Sequence, residues 1–188
     1  MRAGWMALAA AALLAAPAQA QRGLAVEVRG GASAGNYAGA ASDFELAPMP
    51  SFGAALSYGV TERIGVYAGF SRSSFGCDTG FCVGRGMRFT SQGVDAGVEL
   101  GLPVAASPWI RAGIVSHSLQ YHADAAGGSE TRDGEEGSGV GFSAAGGVEL
   151  PLGRRLSVTP GIRYVRYGAA NDDGVAVLVG DVGLKIRM

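Results

Sequence analysis

Cysteine, histidine, excess charge of one sign and long apolar runs are all scarce in this chain of 188 residues. The only cysteines, Cys77 and Cys82, have no histidine near them. A metal site there would lack ligands, and in an exported, oxidising setting two such thiols read as a disulfide. The only histidines, His117 and His122, lie close together and away from any metal-ligand pattern. Fifteen basic residues stand against 16 acidic ones, which excludes the basic surplus that drives phosphate contacts with nucleic acid. Beyond the first twenty residues no apolar run is long enough to cross a membrane as a helix.

Residues 1–20 carry the three parts of a secretory signal. Arg2 supplies the positive start, Trp5 to Ala16 the apolar run, and Ala18-Gln19-Ala20 a small-x-small cleavage site. The apolar run is shorter than the roughly 18–20 residues a spanning helix needs. Cleavage after Ala20 leaves one domain, 21–188, with 14 basic residues (15 less Arg2) against 16 acidic, a net charge of −2.

What the chain has in quantity is glycine, 32 residues without a collagen period, and two-residue alternation. From Leu178 onward, Leu178, Gly180, Val182, Leu184, Ile186 and Met188 share one face, and Asp181, Gly183, Lys185 and Arg187 share the other. Such a period marks a strand between two different environments. Seven earlier runs repeat it, among them Phe52, Ala54, Leu56 and Tyr58 against Ser51, Gly53, Ala55 and Ser57. Tight turns are expected at Thr61-Glu62-Arg63, at Pro103 to Pro108 and at Pro151 to Arg154. They alternate with longer polar connections at Ala32 to Pro50, Arg72 to Arg88, His122 to Gly139 and around Asn171 to Gly174. Three registers stay open: Phe89 falls on the wrong face unless a bulge intervenes, Val115 to Tyr121 loses its alternation, and Pro160 predicts a bulge or a local break.

One face of every run is apolar and the other tiny or ionic. A soluble lipocalin-like barrel needs large apolar residues inside and charge outside, the reverse arrangement. An even number of antiparallel strands, short turns on one rim and long loops on the other fit an all-β, eight-stranded antiparallel transmembrane β-barrel. In this pattern the chain resembles the small outer-membrane β-barrel family that includes OmpX/Ail-type proteins and the OmpA transmembrane domain. The resemblance covers 21–188. It implies residence in the bacterial outer membrane, contact with outer-membrane lipid and lipopolysaccharide, and insertion by the outer-membrane assembly machinery. The family's last strand carries an assembly signal, polar-x-Gly-x-x-aromatic-x-aromatic. Asp181, Gly183, Ile186 and Met188 occupy its places here, with aliphatic residues at both aromatic positions.

The inward faces collect Glu27, Asp95, Glu99, Glu149 and Asp181 against Arg29, Arg111, Arg163, Lys185 and Arg187. Five acids and five bases in a lumen just wide enough for side chains must pair, which predicts an ionic plug; an ion path is the rival reading. A lipid-modifying hydrolase would need a base beside its nucleophile. Yet Ser116 and Ser118 cannot share a face with His117, and only cross-strand partners such as Ser143 remain. The acids Asp124, Glu130, Asp133, Glu135 and Glu136 lack calcium-loop spacing. No cofactor motif occurs. Arg72, Arg85 and Arg88 are placed to meet lipid phosphates, and Tyr58, Phe70, Trp109 and Tyr164 to form aromatic belts. The expected protein is a non-enzymatic monomer that serves envelope integrity, or surface contact and adhesion through its external loops. A hydrolase and a narrow channel are the alternatives.

Overall fold

The computed structural model describes residues 23–38, 43–77, 88–102, 107–123, 132–168 and 174–188. The expected signal segment, Arg85, Asp124, Glu130 and Cys82 lie outside them, and so does the Cys77 side chain, which places the disulfide outside as well. The strands are β1 (Gly23–Ala38), β2 (Asp43–Gly59), β3 (Ile64–Cys77), β4 (Arg88–Gly101), β5 (Pro108–Ala123), β6 (Arg132–Val148), β7 (Leu150–Pro151), β8 (Leu156–Gly168) and β9 (Gly174–Arg187). Each pairs antiparallel with its neighbour, β1 pairs with β9, and β6 pairs with β8. The sheet is therefore closed and has no free first or last strand.

Strands β6 and β7 form one wall strand interrupted at Glu149, because Gly147↔Gly161 and Leu150↔Val158 keep a single register against β8. Between those pairs stand Val148 and Glu149 on one side and Thr159 and Pro160 on the other. Pro160 has no N–H to give. On the β5 side, the Glu149 N–H donates to the Ser107 carbonyl at 3.1 Å. On its other side β8 runs through Pro160↔Val182 without a shift, so the proline makes a break and no bulge.

Counting β6 and β7 together gives eight strands, and their stagger can be followed pair by pair. From Glu27 the ladder passes Ala55, Gly69, Asp95, Val115, Gly141, Tyr167 and Val175, and re-enters β1 at Tyr37, ten residues on. A stagger of that size over eight strands tilts them by roughly 35–45° and leaves an interior that side chains can fill.

The short turns stay short. The Thr61 hydroxyl accepts from the N–H groups of Arg63 (3.2 Å) and Ile64 (2.9 Å) and so holds the β2–β3 turn. At the opposite rim the strands run further than the alternation of polarity suggests. Much of the expected loops at Ala32 to Pro50, Arg72 to Arg88 and His122 to Gly139 is wall.

Strand β5 gives the reason. Ile110, Ala112 and Ile114 face out, then Ser116 and Gln120 face out, while Val115, His117 and Leu119 are buried inside. The geometric alternation never fails; the polarity inverts. Above the apolar belt the outer face meets water and the inner face is dry. The same inversion corrects the expectation at Phe89. Strand β4 has no bulge, its register with β3 and β5 is continuous, and Phe89 is an inward residue that is 1 % exposed. It joins Phe75, Val115, Leu119, Val165, Tyr167, Val175, Val177 and Val179 in a cluster that fills the upper lumen.

Candidate functional site

Three levels stack inside the wall. The lowest is built around Arg111, whose direct cross-strand partner is Glu99. Its Nε donates to Glu99 Oε2 and its Nη2 to Glu27 Oε2, both at 2.6 Å. The guanidinium also lies over the Tyr67 ring at 5.2 Å and the Trp109 ring at 4.9 Å. Trp109 is thus a lumen residue, 4 % exposed, and not the belt aromatic expected from its position near a strand end. It shares the parity of Arg111, and parity decides its face.

From Glu99 the network continues. Lys185 Nζ donates to Glu99 Oε1 at 3.0 Å and reaches Glu149 Oε2 at 3.4 Å, and Arg187 Nη2 pairs with Glu149 Oε1. Thr159 Oγ1 donates to the remaining Glu27 oxygen at 2.7 Å. Three acids and three bases drawn from opposite walls are held in one chain of pairs across the axis.

Glycine makes the room for them. A Cβ at Gly183 would fall against Thr159 Oγ1 and Glu27 Oε1 and lie 3.1 Å from Arg29 Cγ. Gly183→Val is therefore expected to push Glu27 off Thr159 and destabilise the barrel by about 1–3 kcal/mol, the usual range for overpacking. Urea unfolding in lipid vesicles measures it. A midpoint unchanged from wild type would show that the lumen has slack there.

The middle level holds Arg29, Asp95, Arg163 and Asp181, each two or four residues nearer the external rim on its strand than the network below. All four are buried. Arg163 Nε stands 4.0 Å from Asp181 Oδ2, too long for a hydrogen bond. The ten inward ionic residues therefore form a tight group of six and a looser group of four.

Above them His117 accepts or donates at Ser91 Oγ (3.2 Å) and lies 3.5 Å from Ser71 Oγ; the Tyr167 hydroxyl donates to Ser91 Oγ at 2.7 Å. Ser143, the cross-strand partner weighed from the sequence, instead meets the Tyr67 hydroxyl at 3.3 Å. The signal that could have found the true partners is Gly93, directly opposite His117. A Cβ there would fall 2.6 Å from the imidazole, so only glycine lets the ring lie across to β3 and β4. No group of three or more His, Cys, Asp or Glu residues among those described could hold a metal ion.

Residues 6–184 match the outer membrane protein beta-barrel domain family. The chain belongs to that family. The family places it in the bacterial outer membrane. Solved structures share the fold at low identity. The structure of Neisserial surface protein A has a TM-score of 0.57 and 15 % identity over 87 % of this chain and 99 % of that one. OprG from Pseudomonas aeruginosa gives 0.57 and 13 % over 90 % and 99 %. Ail of Yersinia pestis, in complex with the heparin analogue sucrose octasulfate, gives 0.52 and 12 % over 87 % and 99 %. No curated protein matches the sequence.

For an outer-membrane barrel the outer surface is as informative as the lumen. Val66, Val98, Ile110, Ile162, Val182 and Leu184 are exposed on the wall, as lipid contact requires. Phe52, Phe70 and Phe142 are exposed near the top of this belt, and Phe142 lies 5.9 Å from Tyr164, ring centre to ring centre. Immediately above runs a row of hydrogen-bonding side chains in register across four strands, Arg72↔Gln92↔Ser118↔Ser138. On β8, Arg166 stands directly across from Phe142, two residues beyond Tyr164. Arg72 is a strand residue and not the loop residue expected, and Arg88 opens β4 with an exposed side chain. In the last strand Asp181 and Gly183 face the lumen, whereas Ile186 and Met188 face outward.

Proposed function

We propose that this barrel is a closed, non-enzymatic monomer that works at its external rim, in envelope integrity or in surface contact, and moves nothing through its lumen. The observation that carries the reading is the double obstruction of the lumen. The Arg111-centred network crosses the axis low down, and the apolar cluster of Phe75, Phe89, Leu119 and their neighbours crosses it near the external end. Ion transit meets a salt-bridged level and a dry level in turn.

The enzyme alternative has a Ser–His contact, His117 with Ser91, but both side chains are buried in the lumen. Lipid runs along the outside of the wall, so an acyl chain has no route to them. On the outside, Arg72 and Arg166 above the aromatic residues suit the phosphates of outer-leaflet lipid and lipopolysaccharide. A Cys77–Cys82 disulfide would tie the β3–β4 connection. Asp181, Gly183, Ile186 and Met188 would serve insertion by the assembly machinery. The ligand-bound structure of Ail supports the idea that this fold presents binding surfaces.

The test pairs two assays on protein refolded in lipid. Planar-bilayer recording should give no steady current, and a lipid-A and phospholipid hydrolysis assay no product above the protein-free control. Single-channel steps that vanish with Glu99→Gln would make the protein a channel. Hydrolysis lost on His117→Ala would make it an enzyme.

A further inference from the structure

The ten ionic side chains of the lumen balance, five of each sign, so the uneven charge of this chain lies at its two rims. The four long connections, 32–50, 72–88, 122–139 and 171–174, carry ten acidic residues against four basic ones. The three short turns, 61–63, 103–108 and 151–155, carry one acidic residue, Glu62, against three basic ones, Arg63, Arg154 and Arg155. Short turns form the periplasmic rim of an outer-membrane barrel. All three arginines are exposed, and none forms an ion pair with another described residue.

Backbone hydrogen bonds hold these residues at the edge of the wall. The β2–β3 turn closes with the N–H groups of Val60 and Thr61 on the Ile64 carbonyl, both at 2.9 Å, and the Arg63 carbonyl accepts from the Gly101 N–H at 2.7 Å. On β8 the Arg155 carbonyl accepts from the Arg187 N–H at 2.8 Å. The next pair of that ladder is Leu156↔Ile186, so Arg155 stands directly across from Arg187. Like charges opposite each other in a ladder repel. Arg187 turns its guanidinium to Glu149, whereas Arg155 has no acidic partner among the described residues. An anion from outside the chain relieves that pair.

The neighbours of the arginines say which anion. Leu152, 63 % exposed, and Val60, 55 % exposed, sit in or beside the same two turns, and Ile64, Leu102, Leu150 and Ile186 carry the apolar outer face down to them. Hydrocarbon therefore reaches the turns, and the guanidinium groups follow within a few residues, at the depth of lipid headgroups. Among the described aromatic side chains only Tyr58 is exposed near this end, so the aromatic girdle of such barrels is thin here. We propose that the periplasmic rim binds anionic phospholipid of the periplasmic leaflet, with lipid phosphates on Arg63, Arg154 and Arg155 and acyl chains along Ile64, Leu152 and Ile186.

A guanidinium fork takes two phosphate oxygens at once. A zwitterionic headgroup brings its own cation to that contact, whereas a net-negative one such as phosphatidylglycerol does not. The two turns carry three positive charges against the one negative charge of Glu62, so the rim keeps a positive potential that favours the anionic lipid. A soluble polyanion would gain the same charges but leave Leu152 and Val60 facing water. The inference stands whether or not the lumen conducts.

NMR of the intact barrel in phosphatidylcholine nanodiscs tests the surface without any substitution. Phosphatidylglycerol spin-labelled at the top of an acyl chain should relax the amides of Arg63, Leu152 and Gly153 about fivefold more than the same dose of labelled phosphatidylcholine, the preference expected from one cation near a membrane surface. Equal relaxation by the two labels overturns the proposal. The combined variant Arg63→Gln, Arg154→Gln and Arg155→Gln should lose the difference, yet keep the wild-type urea midpoint in vesicles of phosphatidylcholine alone. A preference that survives in the folded variant shows that other groups hold the lipid, and the arginines lose their role. Shifts of Arg63 and Arg155 that saturate with soluble peptidoglycan fragments, but not with phosphatidylglycerol, put the cell wall at this rim in place of lipid.

Discussion

Arg111→Ala is expected to lower the unfolding free energy of the barrel by about 3–5 kcal/mol, the usual cost of removing one partner from a buried ion pair. The expectation follows from what the guanidinium leaves behind. Glu27 and Glu99 are 1 % and 3 % exposed, and each accepts from Arg111 at 2.6 Å. Glu99 retains the Lys185 ammonium, whereas Glu27 is left with the Thr159 hydroxyl as its hydrogen-bond donor. The rings of Tyr67 and Trp109 lose the cation between them as well, at about 0.5–2 kcal/mol for such contacts.

Urea unfolding in lipid vesicles reads the loss, with Arg154→Ala in the exposed β7–β8 turn as the control that should leave the midpoint in place. A second variant separates charge from packing. Arg111→Met combined with Glu27→Gln and Glu99→Gln removes all three charges, and should recover much of what Arg111→Ala alone loses. If Arg111→Ala unfolds at the same urea concentration as Arg154→Ala, the low level of the lumen is hydrated and the pairs are not what closes it.

How far the sequence could be read was set by where each residue meets lipid. Within the apolar belt the two faces differ sharply, one lipid-facing and one ionic or tiny. There strand identity, facing and inward placement of Glu27, Arg29, Asp95, Glu99, Arg111 and Arg163 follow from period alone. Past the belt the contrast inverts. Ser116 and Gln120 outside, with Val115 and Leu119 inside, look like lost alternation to any reading that assumes apolar means outward. Strand ends, the facing of Phe89 and the whole upper stopper were therefore hidden, although parity carried unbroken from Asp95 would have placed Phe89 correctly. Trp109 was misplaced for a related reason: chemistry typical of a belt outweighed a parity it shares with Arg111. Which charges meet was not legible either. Glu99 and Arg111 are cross-strand neighbours, but Arg111 with Glu27 spans the lumen, and only the stagger of the closed wall fixes that contact.

Val98→Arg should cost about 2–4 kcal/mol, whereas Ser116→Arg should cost about 0–1 kcal/mol, because the penalty for an arginine on the lipid face falls from midplane to interface. Val98 is 52 % exposed on the outer wall and is flanked by Val66 on β3 and Ala112 on β5. Its neighbourhood is entirely apolar, and a guanidinium there has only hydrocarbon to meet. Ser116 is also outward, beside Val94 and Val140, but it lies immediately below the row that starts at Arg72. A long arginine at that height reaches the headgroups without dragging its charge through the acyl chains. Equilibrium unfolding of both variants in vesicles gives the two values. Equal costs would mean that the polar row does not mark the external interface, and with it would go the placement of Arg72 and Arg166 against lipid phosphate. A large cost for Val98→Arg and a small one for Ser116→Arg fixes the edge of the lipid within a few residues of Ile114. That height matters for the interior too, since it sets Arg29, Asp95, Arg163 and Asp181 below the interface, level with lipid that offers them nothing.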